Sequence, residues 1–151
     1  MKKREWGNAV WLLFHTLAEK IKPEHKGELI ILVSHISSIC NNLPCPDCQA
    51  HASKLMNSTN KSHITQSKEI LIDFLWKFHN EVNRTTKNNF FPKEGISIYK
   101  TSDTIKVINS FISIMRQVAN NQKTMLFGFH RDLYMKQFIS YIQQNIYKYD
   151  V

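Results

Sequence analysis

Apolar residues recur at spacings of three and four through most of this 151-residue chain, and only four glycines and four prolines interrupt them. That pattern restricts the chain to helices, because a turn-rich β fold needs more breakers than this. Trp6, Val10, Leu13, Leu17 and Ile21 mark a first helix over about 4–21. Lys22-Pro23 ends it, since proline lacks the backbone donor and its ring clashes with the preceding turn. A second helix runs from 23 or 24 to 40 on Leu29, Leu32, Val33, Ile36 and Ile39, and Asn41-Asn42-Leu43-Pro44 breaks it. A third starts at Cys45, where Pro46 suits the first helical position. It continues through Ala52, Leu55 and Met56 to a polar stretch at 57–60. A fourth, from 65 or 66 to 87, carries Ile70, Leu71, Phe74, Leu75, Phe78 and Val82.

Phe91-Pro92-Lys93-Glu94-Gly95 reads as a turn and a boundary. Beyond it Ser102 caps a helix to about 118, with Ile105, Ile108, Phe111, Ile112 and Met115. Gly128 then separates a last helix over about 131–147, with Leu133, Met135, Phe138, Ile139, Ile142 and Ile146. The expected fold is all-α: a four-helix bundle over residues 1–94, then a helical extension, 95–151, that packs on the bundle, a second copy or a partner.

Composition narrows the function. A 42% hydrophobic content excludes a disordered chain, and no apolar run approaches the length of a membrane span. Met1-Lys2-Lys3-Arg4-Glu5-Trp6 leads into an amphipathic stretch and not into a secretory leader. The net charge is +8, but the lysines and arginines are scattered. A solvated basic surface explains that better than a nucleic-acid site does.

Three cysteines, Cys40, Cys45 and Cys48, are too few and too odd in number for a disulfide framework. Cys45-Pro46-Asp47-Cys48 at a helix start has redox or metal chemistry as its readings. The positive end of the helix stabilises a thiolate there, and exchange needs a thiolate and an accessible sulfur. The metal alternative uses Cys40, Cys45, Cys48 and His51, all residue types that zinc accepts. Those four lie within twelve residues, whereas closed structural sites usually join two separated pairs.

Two further groups share helix faces. His79, Asn83 and Lys87 stand at i, i+4 and i+8, with Trp76, Asn80 and Arg84 beside them. Two asparagines flanking a histidine are poor helix formers, and such a face can hydrogen-bond a heteroaromatic ring and pair a phosphate. The plain alternative is a solvated face. Gly7, Trp11 and His15 repeat the same spacing near the start. A glycine inside a helix costs about 1 kcal/mol against alanine, so close approach of a ligand or a neighbouring helix would account for it. Ordinary core packing is the alternative for Trp11 and His15.

Taken together these groups resemble the Erv/ALR family of FAD-linked sulfhydryl oxidases, over about residues 4–91. The residues that carry the resemblance are Gly7, Trp11 and His15, then Pro44-Cys45-Pro46-Asp47-Cys48, then His79-Asn80-Glu81-Val82-Asn83 with Lys87. Asn42-Leu43-Pro44-Cys45 and Cys48-Gln49-Ala50-His51-Ala52 look most like the virus-encoded branch. The resemblance implies a four-helix bundle holding FAD, with Cys48 beside the flavin and Cys45 attacked by the incoming thiol. Trp11, His15, His79, Asn80, Asn83 and Lys87 would line the FAD site, joined by Gly7, Trp76, Arg84 and Phe90. It further implies oxygen as the acceptor and hydrogen peroxide as product. The electron donor would be a thiol-bearing protein, thioredoxin-like or a CxxC shuttle, acting on a homodimer. The site of action would be the host cytoplasm or the virion, or alternatively the mitochondrial intermembrane space. The chain departs from many cellular members in lacking a second cysteine pair. Cys40 is read as a plain buried thiol, with resolution of a mixed disulfide or a link between two chains as the alternatives.

Overall fold

The computed structural model describes residues 2–120 and 125–151. Among them the α-helices are α1 (Lys3–Lys20), α2 (Leu29–Cys40), α3 (Pro46–Asn57), the single turn α4 (Lys61–Ile64), α5 (Lys68–Thr86), α6 (Thr104–Asn120) and α7 (Met125–Asn145). Tighter 3-10 segments occupy Pro23–Glu28, Lys93–Thr101 and Ile146–Lys148. The fold is all-α. Its one β feature among the described residues is an isolated antiparallel bridge between Ile21 and Tyr149.

Local chemistry sets the helix ends and shifts several from their expected places. The second helix does not begin at Pro23, because His25 leaves helical geometry (φ −108°, ψ 31°) and Gly27 follows; the regular helix starts at Leu29. Ser67 caps α5 by accepting the Ile70 N–H at 3.1 Å. Asp103, not Ser102, caps α6: its Oδ1 accepts the Lys106 N–H at 3.1 Å. Gly128 does not separate helices but lies inside α7, where a glycine weakens a helix without breaking it.

α1 is the shared wall. It lies against α5, α6 and the Lys93–Thr101 segment. Leu13, Phe14, Leu17 and Ala18 are at most 1% exposed, because α1 buries residues all round its middle turns and not along one stripe. Ile108, Phe111 and Met115 of α6 and Phe138 of α7 join the same apolar cluster as Leu71 and Leu75 of α5. Residues on both sides of the Phe91–Gly95 turn therefore fill one continuous core.

Polar bonds tie the chain's last residues to its beginning. The Lys148 ammonium pairs with buried Glu28 at 2.8 Å. The Tyr141 and Tyr149 hydroxyls meet at 2.7 Å. The Lys22 and Asp150 N–H groups donate to the Lys148 and Lys20 carbonyls at 2.9 and 2.7 Å. Among the described residues no helix is long and apolar enough to cross a membrane.

Phe111 is fully buried and meets Phe138 edge-on at 5.5 Å. Phe111→Ala is expected to destabilise the protein by about 3–5 kcal/mol, read as a lowered urea midpoint. A loss below about 1 kcal/mol would show that α6 adds little to the common core.

Candidate active site

The break between α2 and α3 is held by side chains of α3 and by one of its own, which reaches back to an α2 carbonyl. Gln49 donates to the Asn41 carbonyl, Ser53 Oγ donates to Asn41 Oδ1 at 2.5 Å, and Asn42 Nδ2 donates to the Ser38 carbonyl at 2.7 Å. This fixes Cys45 as the N-cap of α3, its sulfur accepting the Cys48 N–H at 3.2 Å. Cys45 and Cys48 form a disulfide, with Cα atoms 5.2 Å apart, and both are half-buried. When it opens, the helix N-terminus favours the thiolate form of its cysteines. Cys40 is a free, buried thiol, and burial pushes its pKa up to about 12. It is inert as a nucleophile near neutral pH. Among the described residues no three His, Cys, Asp or Glu side chains converge to hold a metal ion, and the Cys45 and Cys48 sulfurs are bonded to each other.

Cys48 lies on the wall of a cleft of about 900 Å³ between α1, α3 and α5. Gly7 and Trp11 of α1 and His79 and Asn83 of α5 share that wall. Val10, Phe14 and Phe78 supply apolar lining, and Lys3 and Arg4 bring two positive charges to it. The volume lies at the upper end of ordinary small-molecule sites, so the cleft suits a large ligand.

An aromatic stack stiffens one side. Trp11 lies flat on His79, with centroids 4.1 Å apart and planes 8° from parallel. His15 Nε2 and His79 Nδ1 meet at 3.0 Å, and His15 stacks on Tyr99 at 4.6 Å. Desolvation by burial lowers the His15 pKa to about 3, helped by the charge of His79, and burial alone lowers that of His79 to about 4. Both rings are neutral at pH 7, so one donates and the other accepts.

The remaining expected residues lie elsewhere. His15 sits behind His79. Trp76 Nε1 and Asn80 Nδ2 both donate to the Phe91 carbonyl, at 2.8 and 3.0 Å, and Asn80 Oδ1 accepts the Phe91 N–H at 2.8 Å. These two residues fasten the turn after α5. Arg84 is exposed and pairs with Glu81 at 2.6 Å. Phe90 is 66% exposed and meets Trp76 edge-on. The reason is angular: at 100° per residue, Trp76, Asn80 and Arg84 fall to one side of the His79–Asn83 face. Lys87 does not continue that face, because it takes the left-handed conformation (φ 59°) that ends α5. In turn, Arg4 and His51 line the cleft but were not expected there. A spacing signal existed for both. Arg4 stands seven residues before Trp11, and His51 three after Cys48, so each shares a face with an expected residue.

Fold and site define a helical dithiol–disulfide redox protein whose CxxC opens on a ligand-sized cleft. The chain belongs to the Erv1/Alr family, whose model matches residues 8–106. A protein of Invertebrate iridescent virus 3 named "Putative FAD-linked sulfhydryl oxidase 096R" is 33% identical over 79 residues, 52% of this chain and 53% of that protein. The chain thus matches about half the length of that relative. A fowlpox virus (strain NVSL) protein named "Probable FAD-linked sulfhydryl oxidase FPV093" is 26% identical over 105 residues, 70% of this chain and 100% of that protein. No solved structure shows a significant match.

The cleft fits the flavin dinucleotide that those names carry. A Cβ built on Gly7 meets no atom within 4 Å, so no neighbouring helix demands the glycine and the space beside it is open. A parallel aromatic pair, a buried Asn83 amide and two cations at the cleft match the ring and phosphate parts of such a ligand.

The neutral histidine pair makes stability depend on pH. The unfolded chain protonates both rings near pH 6.5, the folded one only near 3 to 4, so the unfolded state binds more protons between these values. Stability is expected to be full above about pH 6.5 and to fall below it, by at most about 1.4 kcal/mol per histidine per pH unit. Urea midpoints at pH 7.5 and 5.0 test this, and a His79→Gln variant should lose part of the slope. Equal midpoints would contradict the buried neutral pair.

Proposed function

We propose that the chain is an FAD-dependent sulfhydryl oxidase that forms disulfide bonds in substrate proteins. The observation that carries the reading is Cys48, half of a CxxC disulfide, on the same cleft wall as the stacked Trp11–His79 pair. Trp11, His79 and Asn83 hold the cofactor, Gly7 leaves room for it, and Lys3 and Arg4 meet its phosphates. His15 keeps the His79 ring in place. Trp76 and Asn80 support the site through the Phe91 turn. Bound there, FAD supplies the two-electron acceptor that passes electrons to oxygen, giving hydrogen peroxide.

The protein's own part is thiol exchange. A donor thiolate attacks Cys45 Sγ, the Cys45–Cys48 bond breaks, and Cys48 leaves as a thiolate facing the cleft. The donor's second thiol then attacks the mixed disulfide and releases Cys45, so the donor is oxidised by two electrons and the CxxC reduced by two. Cys40, buried and unreactive, does not relay electrons to Cys45. The donor in this reading is a protein with its own cysteine pair, thioredoxin-like or a short CxxC shuttle. Residues 1–94 carry this machinery, and 95–151 close the core behind it. The viral relatives favour the host cytoplasm or the virion as the place of action, and exposed Ile30 and Ile31 of α2 give a homodimer an apolar face.

The purified protein is expected to be yellow, with a flavin spectrum, and to oxidise dithiothreitol. Cys48→Ser should keep the flavin and lose turnover by about a hundredfold or more. Colourless protein that releases zinc to a chelator would instead favour a metal-binding module.

Gly7→Ala separates helix propensity from ligand contact. The apoprotein should gain about 0.5–1 kcal/mol of stability, while flavin occupancy falls. A variant that gains stability and binds flavin as before would show that the cofactor does not approach Gly7.

A further inference from the structure

Arg131 of α7 is 1% exposed, one of the least accessible side chains in the protein. Its Nε donates to the Asn42 carbonyl at 2.9 Å and its Nη2 to the Leu43 carbonyl at 3.4 Å. Among the described residues Nη1 has no hydrogen-bond partner, and no carboxylate lies within ion-pair distance of the guanidinium. Asp132 acts on it only through space and makes no ion pair with it. A cation is costly to keep out of water without such a pair, and a packing role alone would be met by an apolar side chain. What sets this position apart is what the guanidinium holds: consecutive carbonyls of the break, the second of them two residues before Cys45. The bonds to α2 and α3 hold Asn41 and Asn42, and Arg131 adds the Leu43 carbonyl to the clamp.

We propose that Arg131 is a positioning residue for thiol exchange: its two-carbonyl fork holds the Asn42–Leu43 backbone so that Cys45 presents its sulfur to the incoming thiolate. The inference rests on the oxidase reading. It goes beyond it by giving a residue of α7, past the 8–106 span of the family match, a part in the reaction. A planar guanidinium reaches two adjacent carbonyls at once, which a lysine ammonium does not do with the same rigidity.

The test compares Arg131→Lys and Arg131→Met with the unaltered, flavin-loaded protein. Dithiothreitol is mixed in anaerobically, and the opening of Cys45–Cys48 is read by acid quench and thiol alkylation. Both variants should keep the flavin spectrum and the rate at which oxygen reoxidises reduced flavin. Disulfide opening should slow on the order of tenfold or more, because loss of attack geometry acts directly on this step. Unchanged opening rates in both variants would overturn the proposal. Full rescue by lysine would overturn it too, because charge and not the fork would then suffice. If neither variant folds, Arg131 serves folding and the proposal falls. The alkylation readout does not use the flavin, so a failure of the oxidase reading would show as absent flavin and turnover in the unaltered protein, apart from these rates.

Discussion

The packing of α1 on two sides is the constraint on which the rest of the molecule depends. Leu13, Phe14 and Leu17 have essentially no exposure because α5 covers one side of α1 and α6 the other. That burial sets where Trp11 stands, and Trp11 in turn sets the plane on which His79 lies. Single stacked or hydrogen-bonded contacts contribute little net stability in water. They hold a geometry here because the helices beneath them are locked by a close-packed core.

Around that core the polar groups divide into two kinds. Some fasten backbone: Asn80 and Trp76 take hold of Phe91, Arg131 takes hold of Asn42 and Leu43, and Gln49 and Ser53 take hold of Asn41. The others face the cleft: Asn83, His51, Lys3 and Arg4. On α3 and α5, which contribute to both sets, only rotation about the helix axis separates the two kinds. The breaks at residues 41–44 and 87–92 are the segments that deliver Cys45 and close α5. The fastening set holds them, which allows a disulfide and a large ligand site to sit at fixed positions on short helices.

Much of this was legible in the amino-acid order. Periodicity located α1, α2, α3, α5, α6 and α7, because a chain with so few breakers leaves apolar residues one regular way to be buried. The CxxC at a helix start, and the faces carrying Gly7 with Trp11 and His79 with Asn83, were likewise readable, since helical spacing alone puts such residues side by side. Helix ends were less so. Asp103 in place of Ser102 depends on which side chain reaches an unpaired N–H, and Leu29 in place of Pro23 on a backbone kink at His25; neighbouring candidates for either look alike in one dimension. The stripe from His79 to Lys87 ended early because Lys87 leaves the helix.

The sequence by itself therefore determined the helical class, the redox pair and the neighbours of each functional residue along its own helix. It could do so because those relations follow from the 3.6-residue turn and from the chemistry of individual side chains. Only the tertiary structure decided which faces meet. It placed Asn80 and Trp76 on backbone and not on the cleft, brought His15 within 3.0 Å of His79, and buried Arg131 against a loop 88 residues earlier in the chain. Those outcomes depend on how helices rotate and pack against one another. Rotation and packing are set by the sum of many small contacts over the whole core, and no short stretch of residues encodes that sum.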